Sequence, residues 1–414
     1  MPDAQVIVVG GGPAGSSTAH FMARAGLDVL LLDRARFPRD KPCSEYMSPQ
    51  ASRLLAEMGA LDAVESSGAA QLTGIRVHAP NGATIHGEFI AGHGYRGFSD
   101  RGLAVRRTIL DAILLERARD AGVRVEEGVR VTDVVKNEAG RVVGVRASRA
   151  GGTSETINAL VVIGADGLRS VIGRRLGLIR ASRWPRRIAL VTHYRGVQGS
   201  RQFGDMHVDR EGYLGMADVG NGLTNVAVVV PVSRAAEVAA DRTEFLESWI
   251  AERPAVADLF TTAERVDPVR ATGPFASAAR RAGTPGAAVV GDAADFFDPF
   301  TGEGIYSALR GGELLASHVA DGFDDMKSGA GADSALRAYD SARRAEFGGK
   351  WKVERLVGAA VAFPSLINRA ANVLSRRRDM ADLLIGVVGD FVPAREVLRP
   401  GYLLRLFLPL AGAR

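Results

Sequence analysis

The stretch Gln5-Val6-Ile7-Val8-Val9-Gly10-Gly11-Gly12-Pro13-Ala14-Gly15 opens the chain and decides its fold. It combines a short apolar strand, a G-x-G-x-x-G turn and the start of a helix, the arrangement that binds the phosphates of a dinucleotide. Gly10 permits the tight turn, Gly12 lets main-chain amides approach a pyrophosphate, and Gly15 allows close packing of helix on strand. The turn residues predicted to contact a cofactor are Gly10, Gly12, Pro13, Ala14 and Gly15.

A second apolar strand, Val29 to Leu32, ends at Asp33, about twenty residues after the turn. A carboxylate at this position accepts hydrogen bonds from the ribose hydroxyls of an adenosine. The order of strand, turn, helix and acid is more specific than the glycines alone. This order does not distinguish a binding site for NAD from a binding site for FAD.

A later segment, Val289 to Tyr306, indicates a flavin. A strand leads to the carboxylate of Asp292, which is placed to bind a sugar-like hydroxyl. The loop that follows contains Pro299, Gly302 and Gly304, and its small residues let the main chain approach a flat ring. A helix from about Gly304 would direct its positive end at that ring, which favours an anionic reduced flavin.

Composition limits the class of protein. The 414 residues are 46% apolar and 24% charged, values typical of a globular protein of more than one domain. The formal net charge of +5 comes from scattered basic residues, which argues against nucleic-acid binding. One cysteine excludes an intrachain disulfide, and no metal site is predicted. With no predicted signal peptide or transmembrane stretch, we expect a cytoplasmic protein.

The strand before Asp292 is predicted to belong to the same sheet as the first strands of the chain. A stretch rich in residues that favour β-strands, Ile188 to Val230, lies between them in the sequence. The sequence therefore predicts an α/β fold in which a Rossmann-like cofactor domain carries an inserted antiparallel-sheet substrate domain, with a helical C-terminal region. The cofactor domain is predicted at residues 1–72, 101–182 and 276–330, the substrate domain at 73–100 and 183–275, and the helical region at 331–414.

Three motifs together resemble the FAD-dependent aromatic hydroxylases typified by p-hydroxybenzoate hydroxylase, and most of all their geranylgeranyl reductase branch. They are Gly10 to Gly15, Gly164-Ala165-Asp166-Gly167, and Gly291-Asp292 with its extension from Pro299 to Tyr306. The matching segments span roughly residues 5 to 320. The resemblance implies FAD as the cofactor and NAD(P)H as the reductant.

The resemblance also implies roles for single residues. Asp33 and Arg34 would hold the adenosine end of FAD, and Val131 would offer a main-chain contact to adenine. Arg107, four residues before Asp111, would contact the diphosphate or the ribityl chain. Asp166 would support FAD binding and, in the hydroxylases, use of NAD(P)H. Gly291 and Asp292 would meet the ribityl chain, and Pro299, Gly302 and Gly304 would lie beside the flavin.

The segment Lys41-Pro42-Cys43-Ser44-Glu45 resembles the Lys-Pro-Cys-Gly-Gly stretch of the prenyl reductases. Cys43 and Ser44 are therefore predicted to lie at the cofactor, with packing favoured over redox chemistry for Cys43 because no partner cysteine exists. Glu45 stands where the family has glycine. It is predicted to orient a substrate hydroxyl or accept a proton, and the alternative is a surface carboxylate.

The substrate side departs from the prenyl reductases. Their Tyr-x-Trp-x-Phe-Pro stretch corresponds to Gly212 to Asp218, where Tyr213 is retained and the Trp and Phe-Pro are missing. A compact aromatic or polycyclic substrate is therefore expected. Alternation along a strand puts His193 and Arg195 on one face and Tyr194 on the other. The substrate contacts predicted, against the alternative of ordinary packing, are Tyr46, His193, Arg195 and Tyr213.

The leading prediction is an FAD-dependent monooxygenase of secondary metabolism. It would use NAD(P)H and molecular oxygen to hydroxylate or epoxidise a small apolar substrate through a flavin hydroperoxide. The alternative is a flavin reductase of prenyl or lipid double bonds, favoured by a basic amphipathic segment, Arg399 to Leu410, that suits weak membrane contact. Halogenation ranks lower because Trp184, Trp249 and Trp351 stand apart, without the Trp-x-Trp-x-Ile-Pro signature. The oligomeric state stays open.

Overall fold

The structure is a computed structural model that describes residues 2–149, 152, 154–181, 186–199, 201–324 and 332–407. Three features of the sequence lie outside the described residues. They are Trp184, the predicted domain boundaries at 182/183 and 330/331, and residues 408–410 of the C-terminal segment.

The strands of the described residues are numbered in chain order. They are β1 Ala4–Val9, β2 Val29–Asp33, β3 Tyr46–Met47, β4 Ala70–Leu72, β5 Gly74–His78, β6 Thr84–Glu88, β7 Gly102–Ala104, β8 Arg124–Glu127, β9 Val129–Lys136, β10 Val142–Arg149, β11 Ser154–Gly164, β12 Ile179–Ala181, β13 Arg187–Arg195, β14 Phe203–Asp209, β15 Gly212–Asp218, β16 Leu223–Pro231, β17 Glu264–Arg265, β18 Arg270–Thr272, β19 Ser277–Ala279, β20 Gly283–Thr284 and β21 Ala287–Val289.

The α-helices of the same residues are numbered likewise. They are α1 Pro13–Arg24, α2 Ala51–Glu57, α3 Leu61–Ser66, α4 Arg107–Asp120, α5 Val171–Arg175, α6 Ala235–Ala240, α7 Arg242–Ala251, α8 Pro254–Ala257, α9 Gly304–Asp321, α10 Ala332–Ala362, α11 Pro364–Leu374, α12 Arg378–Val388, α13 Arg395–Leu398 and α14 Pro400–Phe407.

The first large sheet has a parallel centre in the order β21-β11-β1-β2-β8. Its central strands are apolar along their whole length because helices and a β-meander cover both faces. Val6 of β1 pairs with Val161 on one side and with Val29 on the other. The carboxyl ends of β1, β2 and β21 therefore meet at one edge, where ligands bind in folds of this class.

The second large sheet has the order β17-β13-β16-β15-β14-β5-β6, with β18 paired to β13. It is antiparallel except that β14 runs parallel to β5. One face carries Val226, Val228 and Leu214, which pack with Leu246 and Trp249 of α7. The opposite face turns toward the first sheet and leaves a cleft between the two.

The C-terminal helices pack against the β5–β6 end of the second sheet. Ile367 and Ala371 of α11 share a buried cluster with Val77 of β5 and Ile85 of β6. No single helix among the described residues is long and apolar enough to cross a membrane. One pair, Ser334–Ala362 with Pro364–Leu374, meets those criteria together but is bent by 111°. The predicted fold class, a Rossmann-like domain with antiparallel sheets and C-terminal helices, is confirmed.

Candidate cofactor and substrate site

One large cleft runs between the two sheets and brings together segments from most of the chain. Its floor is the glycine turn, its sides are the 41–46 loop and the 291–304 loop, and its roof is the second sheet. The predicted site residues that line it are Gly12, Pro13, Ala14, Cys43, Ser44, Tyr46, Arg107, Tyr213, Gly291, Asp292, Pro299, Gly302 and Gly304.

The glycine turn is packed as the fingerprint requires. A Cβ atom at Gly15 would lie 1.7 Å from the carbonyl oxygen of Gly10, so only glycine fits there. The carboxylate of Asp33 is 7% exposed and accepts hydrogen bonds from the Gly11 N–H (2.7 Å) and the Ala35 N–H (2.7 Å). Asp33 therefore lies at the end of β2 directly beside the turn, with Arg34 exposed next to it.

Two guanidinium groups converge on Gly12. A Cβ atom there would lie 3.3 Å from Nη2 of Arg39 and 3.7 Å from Nη2 of Arg107. Arg107 is 3% exposed and donates two hydrogen bonds of 2.7 Å to Asp111, which also lies 3.0 Å from Arg39. Two arginines at the N-terminal end of α1 form a donor set that fits the diphosphate of FAD.

Arg39 was not among the predicted site residues. The signal for it is a run of basic residues, Arg34, Arg36, Arg39 and Lys41, in the loop that follows β2. Lys41 lies at the other side of the cleft, with its Nζ 3.3 Å from Oδ2 of Asp292. A cation and a carboxylate therefore face the cleft together.

The 299–304 loop is shaped to admit a flat group. Gly302 has a φ of 70°, and a Cβ atom there would lie 2.8 Å from Cδ1 of Tyr46. The helix α9 begins at Gly304, and its first turn, including Ala308, lines the cleft. The hydroxyl of Tyr46 is buried without a hydrogen-bond partner among the described residues. This cradle fits a flavin ring beside a helix N-terminus.

Gly10, Gly15, Asp33 and Arg34 of the predicted FAD set do not line the cleft, and neither do Asp166 and Val131. Asp166 accepts a hydrogen bond from the Val171 N–H (2.6 Å) at the start of α5, and burial raises its carboxyl pKa above the usual range. Its neighbours Ala165 and Gly167 line the cleft. Val131 is buried on β9, a strand that packs against β2.

Glu45 is neither at the surface nor in the lining of the large cleft. It is 1% exposed and has a φ of 63°, a left-handed conformation that favours the glycine of the related motif. Its Oε1 accepts a hydrogen bond from the Arg107 N–H (2.8 Å), and its Oε2 lies 2.7 Å from Nε2 of His193. Asn225 donates both to Oε2 (3.1 Å) and to the Cys43 carbonyl (2.9 Å). These contacts anchor the loop that carries Cys43 and Ser44.

His193 lies on the cleft side of β13 but behind that loop. It is 4% exposed, and its Nδ1 lies 2.8 Å from Oδ2 of Asp267. It lines a small second cavity with Glu45 and Asp267. Tyr194 lies on the opposite face, as alternation predicts, in the cluster beneath α7. Arg195 is exposed at the strand end, 3.4 Å from the Asn221 carbonyl, and does not line the cleft.

The roof of the cleft is apolar and has space in it. Tyr213, Gly215 and Ala217 alternate along β15 so that all three face the cleft, as do Ile75 and Val191 of the same sheet. The hydroxyl of Tyr213 donates a 2.7 Å hydrogen bond to the carboxylate of Asp298. Gly215 and Ala217 thus occupy the positions of the Trp and Phe in the related motif, and their small size leaves the cleft open.

Two carboxyl groups line the end of the cleft near α9 and α10. Glu303 precedes α9, is 4% exposed and lies 3.0 Å from Nζ of Lys350. Burial raises its pKa despite that lysine, and burial raises the pKa of Glu354 well above the usual range. The two carboxyl groups interact with each other, and the raised pKa of each favours its neutral form. Neither was predicted from the sequence: Glu303 lies within the Pro299 to Tyr306 motif, whose glycines carried the prediction, and Glu354 is 51 residues further along, in no motif.

Comparisons with known proteins agree with this geometry. The profile of a family described as an FAD binding domain matches residues 3–349. The digeranylgeranylglycerophospholipid reductase 2 of Methanopyrus kandleri is 30% identical over 396 residues, 94% of this chain and 93% of that protein. The menaquinone reductase of Mycolicibacterium smegmatis is 27% identical over 399 residues, 94% of this chain and 92% of that protein.

A solved structure shares the fold. The flavin-dependent halogenase CmlS superposes with a TM-score of 0.75 at 25% identity. The match covers 84% of this chain and 63% of the halogenase, so the chain spans less than two thirds of that protein.

Proposed function

We propose, from the premise that this chain belongs to the FAD binding domain family and is an FAD-dependent oxidoreductase, that it reduces carbon–carbon double bonds in an isoprenoid-bearing lipid. The observation that carries the proposal is the composition of the cleft. An apolar roof with Ile75, Val191 and Met206 faces the glycine turn, and two carboxyl groups, the buried Glu303 and the half-buried Glu354, lie at one end. An apolar chain and a proton source thus meet beside the cofactor cradle.

Reduction of a double bond requires two electrons and two hydrogens. FAD, when bound and reduced, supplies one hydrogen as a hydride equivalent. Gly12, Arg39 and Arg107 would hold its diphosphate, and Asp292 would hold its ribityl chain. The second hydrogen arrives as a proton, which the Glu303–Glu354 pair would supply, since burial raises the pKa of both carboxyl groups and so favours their neutral form. The proposal includes NAD(P)H as the donor of the electrons that reduce FAD.

The names of the similar proteins favour a reductase over the monooxygenase that was the leading prediction from the sequence. Two proteins that match more than nine tenths of this chain are named as reductases, and one name specifies digeranylgeranyl lipid. Oxygenation remains the second candidate because Gly215 and Ala217 widen the cleft, which suits a ring system better than a thin chain. The likeness to a halogenase supports the fold and the flavin, and the halogenase signature is missing from the sequence.

The test is an anaerobic assay with the FAD-loaded protein. The flavin is reduced with dithionite, mixed with a digeranylgeranyl lipid or with menaquinone, and followed by its absorbance and by mass spectrometry of the lipid. The expected result is reoxidation of the flavin together with a gain of two hydrogen atoms per double bond. Product that gains an oxygen atom, and forms only in air, would replace the proposal with the monooxygenase.

A further inference from the structure

Exposed apolar side chains concentrate on the C-terminal helices. Seven large apolar side chains are exposed among the described residues, and four of them belong to α10, α11, α14 and the elbow between α10 and α11. They are Leu356 (51% exposed), Phe363 (51%), Leu366 (38%) and Leu404 (54%). A cluster of this kind marks an interaction site more often than four scattered side chains do.

These four residues, on the α10–α11 elbow and on the helix packed against it, are here called the elbow surface. Leu356 lies in the last two turns of α10, and Phe363 follows the last residue of that helix. There the chain turns by 111° into α11, which carries Leu366 in its first turn. α14, which carries Leu404, packs on α11. The elbow therefore presents its apolar residues at a convex corner of the molecule.

The segment that forms the elbow is basic in sequence. Residues 355–378 contain five arginines and no acid. Arg377 and Arg378 lie near Asp379 and Glu88, respectively. Arg369 and Arg376 are exposed and form no ion pair among the described residues, and the same holds for Arg405 on α14. Exposed apolar side chains flanked by exposed arginines are the pattern of a helix that lies in the interface of an anionic membrane.

We propose that the elbow surface docks on an anionic lipid membrane, with its four apolar side chains in the headgroup–acyl boundary and its arginines at the headgroups. A second copy of the chain is a poorer partner, because a twofold contact would set arginines against arginines. The helix that carries Leu356 also contributes Glu354 to the lining of the cleft. The inference does not depend on which reaction the flavin performs.

The test uses the full FAD-loaded chain and vesicle flotation. Vesicles of phosphatidylcholine alone are compared with vesicles that also contain phosphatidylglycerol. Wild-type protein is expected to float with the anionic vesicles, and less so in high salt because the arginine contribution is screened. The double variant L356D/F363D should lose at least about tenfold in partitioning, because two apolar contacts become charged. The matched control is Val266→Asp, which changes a 40% exposed side chain next to β17, in the second sheet.

Flavin absorbance and circular dichroism verify that each variant is folded and loaded. Equal binding of wild type and L356D/F363D would overturn the proposal, as would failure of wild type to bind anionic vesicles. A concentration-dependent dimer that the same double substitution dissociates, without vesicle binding, would assign the elbow surface to a second copy instead. Charge reversal at Arg369 should weaken binding to anionic vesicles and leave binding to neutral vesicles unchanged.

Discussion

Nε2 of His193 lies 2.7 Å from Oε2 of Glu45, although the two residues are 148 positions apart in the chain. The contact ties the second sheet to the 41–46 loop, which forms one side of the cleft. Glu45 is held by His193, Asn225 and the Arg107 N–H at once, so its role is to position the loop.

Glu45→Ala should destabilise the protein by about 1–3 kcal/mol, because the Arg107 N–H and the groups that face Oε2 lose a buried acceptor. Glu45→Gln should retain FAD and lose turnover. A glutamine side chain has a single acceptor oxygen, so it cannot accept hydrogen bonds both from the Arg107 N–H and from the groups that face Oε2. Urea unfolding measures the first effect, and flavin absorbance with anaerobic turnover measures the second. Glu65→Gln, at an exposed helix position, is the control. Wild-type stability and turnover in both Glu45 variants would remove the positioning role.

Asp292→Ala should weaken FAD binding at least about tenfold, because a carboxylate that faces the cleft would no longer accept a hydrogen bond from the ribityl chain. It would also leave Lys41 without its partner at 3.3 Å. Flavin fluorescence titration of the apoprotein gives the dissociation constant. Asp100→Ala, which changes an 84% exposed side chain, provides the comparison. Full occupancy of Asp292→Ala would exclude the residue from the FAD site.

The elements around the glycine turn were predictable because local patterns determine them. β1, α1 and β2 follow from an apolar run, a fixed glycine spacing and a terminal acid, all within about thirty residues. The return of the chain to the first sheet was predictable because the strand before Asp292 follows a long stretch rich in β-formers, and in the structure it pairs with β11 of the first sheet. The parallel pairing of β14 with β5 was not predicted, since alternation specifies a strand and not its partner.

The polar interior was harder to predict for a physical reason. A charged residue in a sequence is expected at the surface unless a partner is known, and the partners of Glu45 and Glu303 are His193 and Lys350, far along the chain. Glu45 also adopts a positive φ, which sequence statistics assign to glycine. Only the folded arrangement shows that both carboxyl groups are buried.

Gly215→Trp should narrow the substrate specificity without loss of FAD. A Cβ atom at Gly215 already lies 3.0 Å from Sδ of Met206, so an indole must displace that flexible side chain or enter the cleft. Turnover of a bulky ring compound should fall more than turnover of a thin isoprenoid chain, because the indole occupies the extra width. Steady-state kinetics measure the turnover of both substrate types by the variant and by wild type, and FAD occupancy is the control. An equal loss on both substrates would indicate general disruption of the sheet.

The pH dependence of stability should change when Glu354 is replaced by Gln. Burial raises the pKa of Glu354 well above its ordinary value of 4.5, so the folded state keeps a proton that the unfolded state releases. Between pH 4.5 and the folded pKa the native state binds more protons, and the free energy of unfolding therefore falls as the pH rises through that window. Glu354→Gln removes this titration and keeps a hydrogen-bond donor toward Glu303. Its stability should fall less steeply with pH above about 5 than that of wild type.

Urea unfolding from pH 5 to 9 measures the difference, with the exposed Glu138→Gln as the control. An infrared carbonyl band of a neutral carboxylic acid should be present in wild type near pH 7 and absent from Glu354→Gln. If Glu354 also stores the proton that reaches the product, Glu354→Gln should lower turnover while reduction of the flavin by dithionite is unchanged. A slope and an infrared spectrum identical to those of wild type would mean that Glu354 is ionised in the folded protein, and the proton source would then have to lie elsewhere in the cleft.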